Sequence, residues 1–178
     1  MEEQRSIIES QIREIYGRVI YTYKTHEKCA DLLKRGSNWL KYIEVILSAF
    51  TTTSILIALF GDGLIFKLLT AIFSTVLLGL TLFSKDLNLL AIVEKHKQAA
   101  LDILEIREAF LSLLVDIGIG NIGIEQRQER RDKLNEQLIN TYRGSPKTIN
   151  RAYKIASKAL QQNEEFTFSD AEIDKFLP

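Results

Sequence analysis

A chain of 178 residues carries 23 basic and 23 acidic side chains, one domain's worth of polypeptide with no net charge. Neutrality argues against a generic nucleic-acid binder, so no direct nucleic-acid partner is expected. Two prolines and nine glycines argue against a long disordered linker or a many-turned β fold, and a single Cys29 leaves no internal disulfide to form.

The first predicted element is an amphipathic helix in an N-terminal segment, residues 1–38. Ile8, Ile12, Ile15, Val19 and Tyr23 recur at helical spacing over about residues 3–33. Gly36-Ser37-Asn38 reads as its break, with Asn38 placed to cap the next helix.

The charges are segregated, and residues 45–84 hold only Asp62 and Lys67. Val45 to Phe60 and Leu68 to Ser84 are charge-free runs of roughly 24 and 26 Å as helix, against a hydrocarbon core of about 30 Å. Spans of 40–60 and 64–84 close the gap, leaving Lys41, Glu44 and Lys67 near the helix ends, where charges snorkel to the headgroups. Trp39 and Tyr42 fall where an interfacial aromatic belt would sit. With a tight turn at 61–63, residues 39–84 form a transmembrane helical hairpin. The other reading is a buried hairpin inside a soluble bundle, although such a chain seldom leaves forty residues with two charges. Lys24, Lys28, Lys34, Arg35 and Lys41 precede the hairpin and Lys85, Lys95 and Lys97 follow it, so both termini are expected in the cytoplasm. No leader with a cleavage site opens the chain, so the hairpin is not read as a signal peptide.

Polar residues within the spans are patterned. Thr70, Ser74, Leu77, Thr81 and Ser84 share a stripe, Ser48, Thr51 and Thr52 share a face of the first span, and Ala71, Thr75 and Gly79 form a small-xxx-small row for helix packing. Ser48, Thr52, Thr70, Ser74 and Thr81 are the candidate pore-lining residues of an assembled set of hairpins. The alternative use of these hydroxyls is bonding to their own helix backbone or to neighbouring helices.

Residues 85–178 read as a cytoplasmic helical region. A long helix over about 85–117 carries Leu89, Ile92, His96, Ala99, Ile103, Ile106, Phe110, Leu113 and Ile117 at alternating steps of three and four. Ile92, Ile103, Ile106, Phe110 and Leu113 are the candidate oligomer or bundle seam, and Leu90, Leu101, Leu104, Leu111 and Leu114 add a second stripe. Gly118, Gly120 and Gly123 match a dinucleotide-binding spacing, but a helix precedes them and no acid follows about twenty positions on, so residues 118–123 read as a bend. Helices are predicted over about 125–142 and 147–162. On the latter, Lys147, Arg151, Lys154 and Lys158 line one face, opposite Ile149, Ala152, Tyr153, Ala156 and Leu160. That basic face fits anionic lipid, or the acids Glu164, Glu165, Asp170, Glu172 and Asp174 of the tail, or plain solvation. Ser169 and Glu172 have capping-box spacing in a turn over 169–177.

Nothing in the sequence looks catalytic. His26-Glu27 lacks the second histidine of a zinc-protease motif, since Ala30 stands there, and His96 on the seam reads as a packed or hydrogen-bonded core histidine. Cys29 reads as a small buried residue. Phosphate-loop and nucleophile-elbow motifs are missing, so no enzyme activity, metal or cofactor is expected. The fold class is all-α: a two-span hairpin with a cytoplasmic N-terminal helix and a C-terminal helical bundle.

The order of parts resembles the SLATT family, two-transmembrane effector domains associated with bacterial nucleotide-signalling and SLOG genes. The resemblance runs from about Ile15 to Pro178, and its most specific stretch is Arg130 to Lys158, around Tyr142, Pro146 and Tyr153, together with the closing F-S-D-A-E-I-D-K-F-L-P. It implies a homo-oligomeric effector in the bacterial inner membrane that perforates the membrane when a linked sensor reports phage infection. The implied partner is a nucleotide-producing enzyme, a reverse transcriptase or a nucleotide-binding domain. The family offers no catalytic motif to carry over. An alternative class is a passive anchor whose cytoplasmic helices recruit a partner.

Overall fold

A computed structural model of the chain describes residues 2–60, 63–163, 165–166 and 169–174. Among the described residues the elements are all helices: α1 (Glu2–Phe60), α2 (Leu64–Leu87), α3 (Leu89–Ile119), α4 (Ile124–Gly144), α5 (Asn150–Gln161) and the short α6 (Asp170–Ile173). They form two compact units, one built from the chain up to Ala30 and from Glu94 onward, the other from Asp31–Val93.

Two expected boundaries are corrected. Gly36-Ser37-Asn38 does not break the first helix, and α1 runs through it without interruption. Glycine costs about 1 kcal/mol inside a helix, and serine and asparagine less, which neighbouring turns can absorb where no proline removes a donor. Conversely, the long helix expected over 85–117 is interrupted at Asn88, which ends α2 in the left-handed conformation (φ 39°, ψ 48°). Asparagine tolerates that region better than other side chains bearing a Cβ. The helix restarts at once, with the Ala91 and Ile92 amides donating to the Asn88 carbonyl.

The core of the first unit is a two-helix seam closed by a third helix. Ile8, Ile12, Ile15, Val19 and Tyr23 of α1 pack with Ala100, Ile103, Ile106, Phe110, Leu113 and Ile117 of α3, and Leu138 of α4 joins them. Each large apolar side chain removed from water here contributes about 1.5–3 kcal/mol. The seam residues Ile103, Ile106, Phe110 and Leu113 are filled by α1 of the same chain, the bundle alternative of the expected oligomer or bundle seam; Ile92 belongs to the second unit and is partly exposed. Of the second stripe, Leu90, Leu101 and Leu111 stay exposed, while Leu104 and Leu114 border the core. Cys29 is fully buried, and burial pushes its thiol above the usual cysteine value.

The glycine segment is a bend with a distinct task for each residue. Gly118 remains in α3, Gly120 takes a positive φ of 82° that a Cβ would strain, and Gly123 caps α4 while its amide donates to Gln126 Oε1. An Asp116–Arg130 ion pair ties α3 to α4 across the bend. The next helix starts later than expected. Ile149 is its extended N-cap, so Lys147 precedes α5 instead of lying on its face. Its buried side is Ala152, Ala156 and Ala159, whereas Ile149 and Tyr153 of the expected apolar face are exposed. Alanines allow α5 to approach closely, and bulkier apolar residues are left outside.

Candidate functional site: the hairpin and its flanking clusters

The second unit contains the apolar hairpin. The most apolar windows of its two helices have a mean hydropathy of 2.0, and only 6% of the first and none of the second is buried. That is the inverse of a core hairpin in a soluble bundle, whose apolar faces would be covered by the rest of the chain. Gly63 caps α2; the remainder of the expected turn, Gly61 and Asp62, lies outside the described residues.

The hairpin is organised by polar positions. Along α1 the least exposed residues are Ser37, Leu40, Glu44, Leu47, Thr51, Ser54 and Ala58, at steps of three and four; along α2 they include Thr70, Phe73, Leu77, Leu80 and Ser84. Phe50 and Phe73 bring the two helices together with ring centroids 6.0 Å apart. This is a coiled-coil-like seam written partly in Ser, Thr and Glu, with the large apolar residues turned outward. A search for apolar periodicity passes over it. The signal that could have found it is polar residues at 37, 44, 51 and 54, the inverse of a soluble amphipathic helix.

The five candidate pore-lining residues are not gathered on one surface of the chain. Thr70 is partly buried on the seam, whereas Ser48, Thr52, Ser74 and Thr81 are exposed. Several hydroxyls donate to their own helix: Thr52 to the Ser48 carbonyl (2.9 Å), Thr70 to Phe66 (2.9 Å) and Ser74 to Ala71 (3.0 Å). Ala71, Thr75 and Gly79 are exposed and lie off the hairpin seam, and a Cβ built on Gly79 would meet nothing within 4 Å.

At the helix ends remote from the connecting turn, a groove of about 520 Å³ is lined by Ser37, Lys41, Glu44, Thr81, Ser84 and Lys85 among others. Glu44 Oε1 and Ser84 Oγ are buried there without a hydrogen-bond partner. Neither Lys41 nor Lys85 forms an ion pair with Glu44 among the described residues.

In the first unit the two histidines, seventy positions apart in sequence, meet. His26 Nδ1 and His96 Nδ1 are 3.0 Å apart and both rings are buried. Burial, and then the His96 ring, push His26 down to about 4, and burial lowers His96 as well. Elsewhere in the same unit the tail is clasped. Lys24 Nζ, itself buried, lies 2.6 Å from Glu165 Oε2 and 2.8 Å from Glu27 Oε2, and Lys28 reaches Glu165 at 3.3 Å. Burial alone would lower the Lys24 ammonium, but hydrogen bonds to Glu165 and Glu27 outweigh it and hold it above the usual lysine value. The Phe166 ring packs at a tilt against Tyr23, with the Lys24 ammonium and the Arg107 guanidinium each 4.8 Å from its centroid.

Glu165 thus pairs with α1 and not with the basic residues Arg151, Lys154 and Lys158, which are exposed on α5; Lys147 is exposed ahead of it. Glu164 and residues 175–177 of the expected tail turn lie outside the described residues, while Ser169 donates to Glu172 Oε2 through both its amide and its hydroxyl. Among the described residues, no three His, Cys, Asp or Glu side chains converge as a metal site.

Compared with known proteins, residues 8–172 match the family model described as SMODS and SLOG-associating 2TM effector domain family 4. No curated protein and no solved structure matches the chain.

Proposed function

The chain belongs to the SLATT family of two-transmembrane effector domains associated with defence systems, and on that premise we propose that it is a pore-forming effector. Its hairpins assemble in the bacterial inner membrane, both termini in the cytoplasm, and perforate or depolarise the membrane when a separate sensor signals infection. It does so as a homo-oligomer, without catalysis or cofactor. The sensor is a nucleotide-producing enzyme, a reverse transcriptase or a nucleotide-binding domain.

One observation carries the reading: the hairpin's small-residue row, Ala71, Thr75 and Gly79, is turned outward and left uncovered by its own chain. Small residues let membrane helices approach closely, and two helices alone cannot enclose an aqueous path, so any pore needs several copies. Exposed Ser48, Thr52, Ser74 and Thr81 then supply hydroxyl oxygens to a lumen even where their hydrogens are donated to the helix.

A second reading has its own support. The hydroxyls of Thr52, Thr70 and Ser74 are already bonded to their own backbones, the ordinary arrangement in a hairpin that serves only as an anchor recruiting a partner.

The test is membrane potential, followed with a voltage-sensitive dye in bacteria that express the protein with its neighbouring genes, before and after phage challenge. Depolarisation that disappears when the exposed Ser74 and Thr81 become Leu supports the pore. A potential that holds while the protein is demonstrably inserted overturns it and favours the anchor.

A further inference from the structure

The groove between the ends of α1 and α2 poses an electrostatic problem. Glu44 stands on the seam of two helices that are otherwise apolar or hydroxyl-bearing, one turn from Leu40 and Leu47. A buried carboxyl oxygen without a hydrogen-bond partner is unfavourable, and a charged cluster that its own chain leaves unpaired calls for a partner from outside it. Ser84 Oγ lies in the same groove, also buried and without a partner. The groove carries two ammonium groups, on Lys41 and Lys85, and neither neutralises Glu44 among the described residues.

An inorganic cation would meet the two lysines, and a simple anion would meet the carboxylate. A ligand complementary to all three charges has a cationic donor beside an anionic group. Depth narrows the choice. The groove lies at the end of the hairpin away from its turn, at the level along α1 of Trp39 and Tyr42, which do not line it and are 68% and 64% exposed. Aromatic rings of this kind sit at headgroup level. Val45, Ile46, Leu78 and Leu82 continue below it as exposed apolar surface suited to acyl chains.

We infer that this groove binds the headgroup of an ethanolamine phospholipid, its ammonium at the Glu44 carboxylate and its phosphate between Lys41 and Lys85. The site needs only the two-span membrane hairpin, and stands or falls independently of pore formation. Its specificity has a chemical origin. Ethanolamine has N–H donors for the unpaired Glu44 carboxylate; choline carries the same charge with none, and glycerol carries no cation.

The full chain, purified in detergent, would be titrated with phosphatidylethanolamine, phosphatidylcholine and phosphatidylglycerol of identical acyl chains and the adducts followed by native mass spectrometry. The ethanolamine lipid should bind about tenfold more tightly than the choline lipid, the worth of one charge-assisted hydrogen bond. Glu44→Leu, which removes the acceptor, should bring the two within about twofold, while Lys41→Gln with Lys85→Gln should weaken both together. Soluble glycerophosphoethanolamine should not displace the lipid at equal concentration. Equal binding of the ethanolamine and choline lipids by the unaltered chain would overturn the assignment, and that comparison needs no variant to fold. A preference undiminished in Glu44→Leu, or displacement by the soluble headgroup, would overturn it too.

Discussion

Lowering the pH from about 7.5 to about 5 should loosen the packing of α1 on α3 before the carboxylates titrate. Two neutral imidazoles 3.0 Å apart can share one hydrogen only if one ring carries its proton on Nδ1 and the other on Nε2. Protonating both rings aims two N–H groups at each other in a buried site. His26 has a folded value of about 4 against an ordinary 6.5, so between those limits the unfolded chain binds the extra proton. The stability due to this residue is complete above pH 6.5 and falls with acidification until about pH 4. Over the whole window the loss is about 3 kcal/mol, and about 2 kcal/mol of it is gone at pH 5. His96, lowered by burial, acts in the same direction. In a chain of this size about 2 kcal/mol corresponds to a fall of roughly 4–8 °C in the thermal midpoint. Circular dichroism melts of the full chain in detergent would read it, with the His26→Gln/His96→Gln double variant as the comparison. Equal midpoints for the unaltered chain at the two pH values, or an equal slope in the variant, would refute the reasoning.

Three further outcomes follow from the packing. Phe110→Ala removes a fully buried ring from the α1–α3 core and should destabilise the first unit by about 3–5 kcal/mol, seen as early loss of helicity on heating. Glu165→Gln leaves buried Lys24 with Glu27 alone; a loss of about 1–2 kcal/mol and faster proteolytic trimming of the tail are expected, whereas an unchanged cleavage rate would mean the clasp is not holding. Because Lys24 holds the Glu165 carboxyl below its usual range, acidifying below pH 4.5 should mimic that variant. Gly79→Leu meets no neighbour in its own chain, so insertion should persist while chemical crosslinking into oligomers is lost; full crosslinking would remove this row from the assembly interface.

What the sequence disclosed and what it hid divide along physical lines. The α3 seam was legible because apolar residues at steps of three and four, sustained over several turns, fit one face of a helix and match no strand or loop. That its partner is the Ile8–Tyr23 face of the same chain is a tertiary fact, invisible to a local pattern. Gly36-Ser37-Asn38 misled because helix propensity is a weak term, about 1 kcal/mol at most for a residue other than proline, and the turns on either side outweigh it. Asn88 went unnoticed because one left-handed residue interrupts a helix without altering its periodicity. The seam through Glu44 was hidden because in a membrane the outward face is the apolar one, so the informative residues are those that apolar scanning discards. Contacts such as His26 with His96 and Lys24 with Glu165 join distant positions, and composition carries no trace of them.

Cys29 has a practical consequence. Its thiol is out of reach of solvent and held protonated by burial, so it is a silent background for labelling. Cysteines placed singly along Ser48, Thr52, Ser74 and Thr81 would be the reactive thiols of an otherwise native chain. Alkylation by a membrane-impermeant maleimide requires thiolate, which forms in water and not in lipid. The order in which these positions react would map any wet surface of the hairpin, residue by residue, without first removing the natural cysteine.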